Sequence, residues 1–328
     1  MHALIEADGL TKSFRKTKAL NGLTLNIPPG QVVAILGPNG AGKSTFIRTV
    51  ATLIQPDGGT LRVDGHDVVK EPMAVRRLIG LAGQSAAVEE TMTGRENLYM
   101  VARLYGQSGR SARASAVSVL ERVGLTNDGD RPVKGYSGGM RRRLDLGASL
   151  VGKPRLLLLD EPTTGLDPGS RIALWDDIRS LGHGGTDILL STQYLDEADQ
   201  LAAYIVIISD GGVIAEGTPS ELKTRAGSDR IELHTRDAES LSRAASVLAR
   251  LGDEPEVEPA TRRCSVSAPG GSSLLGAAVR ALSDEGIEVE DITLRRPTLD
   301  EVFLTLTGRH AASTTDSPTH AHVKEFVA

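Results

Sequence analysis

The chain holds a single cysteine, Cys264, among 328 residues. No internal disulfide can form, which suits a reducing compartment. Aromatic residues make up only 3% of the chain, too few for a stacking pocket around a large flat ligand. No apolar run approaches the roughly 18 residues that a membrane-crossing helix needs, so the chain cannot by itself form a path through a bilayer. The first residues, Met1-His2-Ala3-Leu4-Ile5-Glu6-Ala7-Asp8, alternate and carry acids early, so no signal peptide is expected. The net charge is −5 and no basic tract dominates. The densest basic run, Arg141-Arg142-Arg143, reads as a solvated or interfacial helix face, and no nucleic-acid partner is expected. No internal repeat is apparent.

What is present is a phosphate-binding pattern. Gly37-Pro38-Asn39-Gly40-Ala41-Gly42-Lys43-Ser44 fits G-x-x-x-x-G-K-[ST]. The apolar run Val32–Leu36 before it reads as a strand buried on both faces. After it, Phe46, Ile47, Val50, Leu53 and Ile54 recur at helical spacing up to Pro56-Asp57-Gly58-Gly59. Strand, glycine loop and helix together aim backbone N–H groups and a helix N-terminus at phosphates. Lys43 would reach the β- and γ-phosphates, and the Ser44 hydroxyl would ligate Mg²⁺. A glycine turn that matches by chance is the alternative.

Two further elements extend the pattern. Leu156-Leu157-Leu158-Leu159 is a second buried strand and ends in Asp160-Glu161. Asp160 fits a Mg²⁺-holding acid. Glu161 points differently and would orient or deprotonate a water. Asp-Glu-Pro is also an ordinary way to leave a strand. Ser137-Gly138-Gly139 precedes Met140, Leu144, Ala148 and Val151 on one helical face. Ser137 suits an N-cap, and the paired glycines bare backbone N–H groups for an anion. A simple capped helix shows the same residues. Because the chain already has one phosphate cradle, the second suits the nucleotide of another copy.

These residues resemble the ATP-binding-cassette (ABC) family over most of residues 3–225. The resemblance implies a P-loop NTPase α/β domain with a helical subdomain, ATP and Mg²⁺ as ligands, and a homodimer sandwiching two nucleotides. Ser137-Gly138-Gly139 matches the family signature, with Tyr136 and Met140 replacing the commoner leucine and glutamine. Thr45 follows Ser44 within the nucleotide loop. Gln84 matches the glutamine that senses Mg²⁺ and the γ-phosphate, and Thr164-Gly165-Leu166-Asp167 matches the loop that crosses the dimer interface. Phe14 sits where the family stacks an aromatic on adenine, although a core phenylalanine in an early strand would look the same. Gln193 stands where most cassettes carry histidine. A glutamine amide can donate to a γ-phosphate oxygen but cannot take up a proton.

The stretches Tyr136–Asp145, Ser191–Asp199 and Leu299-Asp300-Glu301-Val302-Phe303 together resemble one branch, the ATP-binding subunits of daunorubicin/doxorubicin-type drug exporters. That implies an integral membrane permease as partner and a peripheral position on the cytoplasmic side of the cell membrane. A soluble cassette without a transport role, or a slow nucleotide-dependent switch, are the alternatives. The first usually has two cassettes or a coiled coil, and the second rests on Gln193 alone.

Three regions follow. Residues 1–226 form the cassette, with a helical insertion at about 85–152 that includes a capping box at Thr93 and Glu96. Residues 227–308 form a small α+β domain close to a βαββαβ, ferredoxin-like pattern. Three strands are evident there, at Arg230–Arg236, Arg262–Ala268 and Ile287–Leu294, with helices at Ala238–Leu251, Ser272–Glu285 and Leu299–Leu306. The tail, 309–328, is rich in Ser, Thr, His and Ala and is expected to be disordered, with His310, His320 and His322 solvated.

Overall fold

A computed structural model describes residues 3–84 and 88–314. The chain divides into two compact units at Pro219–Ser220.

The first unit opens with two long antiparallel strands, β1 (Ile5–Phe14) and β2 (Thr17–Ile27), then β3 (Val32–Leu36) and α1 (Lys43–Val50). Strands β4 (Gly58–Val63) and β5 (His66–Asp67) return to β1, giving a four-stranded antiparallel sheet in the order β2-β1-β4-β5. Next come α2 (Pro72–Leu78), β6 (Ile79–Ala82), α3 (Gly94–Leu104), α4 (Gly109–Arg122), α5 (Gly138–Leu150) and β7 (Leu156–Asp160). The unit closes with α6 (Pro168–His183), β8 (Asp187–Thr192), α7 (Leu195–Leu201), β9 (Tyr204–Ser209) and β10 (Gly212–Gly217). A six-stranded sheet runs β10-β9-β3-β8-β7-β6, parallel except for β10. All five residues of both β3 and β7 are buried, as unbroken apolar runs flanked by helices require. Both strands therefore end, at their carboxyl edges, in the residues singled out by the motifs.

Phe46, Ile47 and Val50 of α1 are fully buried in the core between the two sheets. The helix ends a turn earlier than its apolar spacing suggests, and Leu53 is 64% exposed. Thr52 takes a left-handed φ of 61°, and Leu53 N and Thr52 N donate back to Arg48 O and Thr49 O. This is a Schellman closure with threonine in place of the usual glycine, so no glycine marked it. The helical insertion holds α3 and α4. The capping box at Thr93 is complete: Thr93 N donates to Glu96 Oε2 at 2.8 Å, and Glu96 N to Thr93 Oγ1 at 3.1 Å.

The second unit contains α8 (Pro219–Ala226), β11 (Arg230–Thr235), α9 (Ala238–Leu248), β12 (Glu256–Glu258), β13 (Arg263–Ser267), α10 (Ser272–Asp284), β14 (Val289–Arg295) and α11 (Leu299–Thr314). Its four-stranded antiparallel sheet is ordered β12-β13-β11-β14. Numbered within the unit this is 4-1-3-2 read from the other edge, the ferredoxin-like arrangement. The strand that the sequence leaves faint is β12, a three-residue exposed edge. It is bounded by Pro255 and Pro259, which cannot donate to a ladder and keep an edge short. Ile231, Leu233, Leu241, Leu248, Cys264 and Val266 fill its core. Burial pushes the Cys264 thiol up to about 11. The expectation of a disordered tail from residue 309 is corrected in part, because α11 continues to Thr314 and carries His310 on it. Positions 315–328, with His320 and His322, lie outside the described residues.

Candidate nucleotide site

The loop after β3 turns into α1 at Gly42, whose φ is 106°. A Cβ there would lie 2.3 Å from Ala19 O, so glycine is required both by conformation and by space. No side chain caps this end of α1, whereas Thr93, Ser108, Ser137, Asp167 and Asp237 cap the helices that follow them. The unsatisfied N–H groups of the first turn are therefore open to an anion. They border a cavity of about 350 Å³ whose lining includes Asn39, Gly40, Lys43, Thr45, Gln84 and Glu161. The lining also includes Thr17, the residue that pairs with Phe14 across the β1–β2 turn. Phe14 is 46% exposed with the Lys12 ammonium 5.6 Å from its ring centre, so it is not a core side chain.

The sheet's carboxyl edge gathers the polar groups. Ser44 Oγ donates to Asp160 Oδ1 at 2.8 Å, Ser191 Oγ donates to the same oxygen at 2.7 Å, and Gln84 Nε2 reaches Ser44 Oγ at 3.3 Å. One carboxylate and two hydroxyls thus converge beside the Gln84 amide, an oxygen-rich cluster that suits a hard divalent cation. Lys43 is 3% exposed, donates to Gly37 O at 2.8 Å and Pro38 O at 3.1 Å, and lies 3.6 Å from Glu161 Oε1. Burial lowers its pKa, and the Glu161 and Asp160 carboxylates oppose that shift.

Asp160 and Glu161 are neighbours in sequence but differ in setting. Asp160 ends β7 and is buried at 2% exposure. Glu161 takes a left-handed φ of 49°, which turns its carboxylate toward Lys43 and the cavity. Such a conformation in a non-glycine residue costs on the order of 1 kcal/mol or more and persists only where surrounding bonds fix it. Here its N–H is held by Ser191 O and Ser191 Oγ, both at 3.1 Å. Gln193 follows β8 directly and is half-buried.

Ser137, Gly138 and Gly139 do not line this cavity. Ser137 and Gly138 are exposed, and Ser137 Oγ accepts from Met140 N at 3.2 Å, capping α5. Gly139 packs against the start of α6, and a Cβ there would lie 2.6 Å from Ser170 Oγ. Asp167 caps α6, accepting from Ser170 N at 2.9 Å and from Ser170 Oγ at 2.6 Å, and its carboxyl is held below the usual range by those bonds. Gly139 of the expected signature and the start of α6, which follows the expected interface loop, are therefore adjacent on one chain. Tyr136, the departure from leucine, is buried and donates its hydroxyl to Asp128 O at 2.7 Å, so the larger residue is satisfied inside the helical region.

Two features escaped the sequence. The first corrects, at one residue, the reading of Arg141-Arg142-Arg143 as a solvated or interfacial face: Arg142 is buried, while Arg141 and Arg143 pair with Glu90 and Asp177 and stay partly exposed. The second is Glu197 on α7, a fully buried carboxyl that accepts from Trp175 Nε1 at 3.1 Å. Burial pushes its pKa up, against the Thr192 and Thr163 hydroxyls, Trp175 and Arg171. A carboxyl whose folded pKa is raised binds more protons folded than unfolded. Stability therefore falls as pH climbs from the ordinary carboxylate range through the raised value. Glu197→Gln keeps an acceptor for Trp175 and cannot ionise. Its melting temperature should gain on the wild type more at pH 8 than at pH 5. A difference that is flat with pH, or that shrinks as pH rises, would contradict this.

Comparison with known proteins agrees with the geometry. Residues 20–164 match the family described as ABC transporter, and residues 217–307 match the ATP-binding protein DrrA1-3-like C-terminal domain. The chain is 52% identical to the daunorubicin resistance ATP-binding protein DrrA3 of Streptomyces coeruleorubidus, over 93% of this chain and 96% of that protein. It is 51% identical to the daunorubicin/doxorubicin resistance ATP-binding protein DrrA of Streptomyces peucetius, over 94% and 93%. Among solved structures, a dimeric ATP-binding cassette in a post-hydrolysis state bound to ADP and Pi superposes with a TM-score of 0.60 at 25% identity, covering 65% of this chain and 98% of that one. The chain belongs to the ABC transporter family as an ATP-hydrolysing cassette, in the branch of the daunorubicin/doxorubicin resistance ATP-binding proteins.

Proposed function

We propose that the chain powers efflux of a drug or antibiotic of anthracycline-like class through a separate integral membrane subunit, while lying peripherally on the cytoplasmic face of the membrane. Among the described residues no helix is long and apolar enough to cross a bilayer. The observation that carries the reading is the division of the phosphate machinery. Lys43, Ser44, Gln84 and Glu161 line one cavity, while Ser137, Gly138 and Gly139 lie outside it. A second copy supplying its signature to that cavity completes the site, which makes the working unit a homodimer.

In each site the loop Gly37–Thr45 wraps the phosphates and Lys43 neutralises them. Phe14 stacks on the adenine. Ser44, Gln84 and Asp160 would hold Mg²⁺, which supplies charge neutralisation across the phosphates when bound. Glu161 orients the attacking water and takes its proton. Gln193 donates to the γ-phosphate. Asp167 fixes the loop that meets the partner copy. Loss of one such donor in an enclosed site costs about 1.5–3 kcal/mol, so Gln193→Ala should slow turnover roughly ten- to a hundred-fold with ATP affinity retained. Wild-type ATPase rates in that variant across the pH range would remove Gln193 from the site.

The transport reading is tested in cells expressing the chain with its membrane partner. Accumulation of a fluorescent anthracycline should fall relative to cells expressing either protein alone. Equal accumulation in all three would overturn efflux of this class while leaving the ATPase assignment to purified protein.

A further inference from the structure

Arg142 is 8% exposed and lies on α5, one turn after the signature glycines. Its Nε donates to Pro162 O at 2.6 Å, and one terminal nitrogen donates to Asp160 O at 3.3 Å and Glu161 O at 3.0 Å. The other terminal nitrogen donates to Gly83 O and to Gln84 O. A guanidinium has five N–H groups, and here five backbone carbonyls receive them. Three belong to the turn that carries Asp160 and Glu161, and two to the turn that carries Gln84. Asp145, one turn further along α5, lies 3.5 Å from the guanidinium.

We propose that Arg142 is a positioning residue for hydrolysis: it ties the helix that begins at the partner-facing Ser137 to the backbone that aims both Glu161 and Gln84. The proposal rests on the roles given above to Glu161 and Gln84. The geometry explains why the connection runs through this residue. Glu161 has a left-handed backbone, and the carbonyls of residues 160, 161 and 162 converge on the Arg142 guanidinium. Convergent carbonyl dipoles repel one another, and a buried cation at their focus reverses that repulsion. The same cation bonds the Gln84 turn, so the two turns cannot shift independently. A movement of α5 when its N-terminus meets the partner's nucleotide is thereby delivered to Glu161. Lysine has three donors arranged about a point and cannot span both turns, so the fork is required and the charge alone is insufficient.

The test uses full-length protein with its membrane partner. Arg142→Lys should lower kcat about ten- to a hundred-fold while KM for ATP stays within roughly threefold of wild type. Combined with Glu161→Gln it should add little further loss, because both changes act on one group. Asp145→Asn keeps all five carbonyl bonds and should keep turnover near wild type even if the melting temperature falls. Unchanged kcat in Arg142→Lys would overturn the proposal. So would losses that multiply with Glu161→Gln, or a loss in Asp145→Asn matching that of Arg142→Lys, each of which marks a general packing role. If Arg142→Lys is unfolded, Arg142→Gln, whose planar amide likewise cannot span both turns, is read in its place against the same outcomes. Should Glu161→Gln itself turn over normally, the assignment of Glu161 has failed, which is distinct from failure of Arg142.

Discussion

Lys43→Ala is expected to lower ATP turnover by about a hundred-fold or more and to abolish drug efflux. The magnitude follows from where the ammonium sits. It is buried at the N-terminus of α1, donates to Gly37 O and Pro38 O, and faces the Glu161 carboxylate. In a site shielded from water a charge–phosphate contact is worth far more than on the surface. Removing the cation also leaves Asp160 and Glu161 facing an incoming polyanion with no local positive charge from this loop. Both losses weaken nucleotide binding as well as chemistry, so the affinity for a fluorescent ATP analogue should fall together with kcat. Lys43→Ala with wild-type affinity and turnover would detach this loop from the nucleotide.

The part of the fold that can be read from the sequence is the part where local chemistry and tertiary context agree. β3 and β7 announce themselves as unbroken apolar runs because both faces of each strand are covered. The glycine loop is legible because its left-handed turn and close backbone approach exclude a Cβ, as at Gly42 against Ala19 O. The end of α1 is not legible, since Thr52 performs a closure that glycine usually marks. β12 is faint because three exposed residues carry no periodicity. The larger gap concerns charges that turn inward. Arg142 stands between two arginines that pair at or near the surface, and nothing in three consecutive arginines tells which one enters the interior. Its direction is set by carbonyls more than fifteen residues away along the chain, from Gly83 to Pro162. Glu197 is similar: it lies in a helix with Asp196 and Asp199, and its burial depends on Trp175 from another helix. Residues 85–87, at the start of the expected helical insertion, lie outside the described residues.

Glu161→Gln should separate binding from chemistry. The amide preserves the shape of the side chain and removes its proton-accepting charge, so turnover should fall by about 10²- to 10⁴-fold. The backbone should hold, because the left-handed turn at residue 161 is fixed through main-chain groups, Ser191 on its N–H and Arg142 on its carbonyl. Binding should hold or tighten. In the wild type the Glu161 carboxylate lies 3.6 Å from the Lys43 ammonium and competes with phosphate for it. A neutral amide does not compete, and the γ-phosphate meets one fewer negative charge. An enzyme that binds ATP and cannot release it as products accumulates in the closed, two-copy form. Size-exclusion chromatography with ATP should therefore show a dimer for Glu161→Gln and a predominantly monomeric wild type at the same concentration. The contrast with Lys43→Ala is the informative one. Both variants lose turnover, but only the glutamine variant should keep nucleotide and dimerise. A Glu161→Gln protein that stays monomeric with ATP and hydrolyses at the normal rate would place the water-activating group elsewhere. It would also leave the Lys43–Glu161 contact as no more than an internal ion pair.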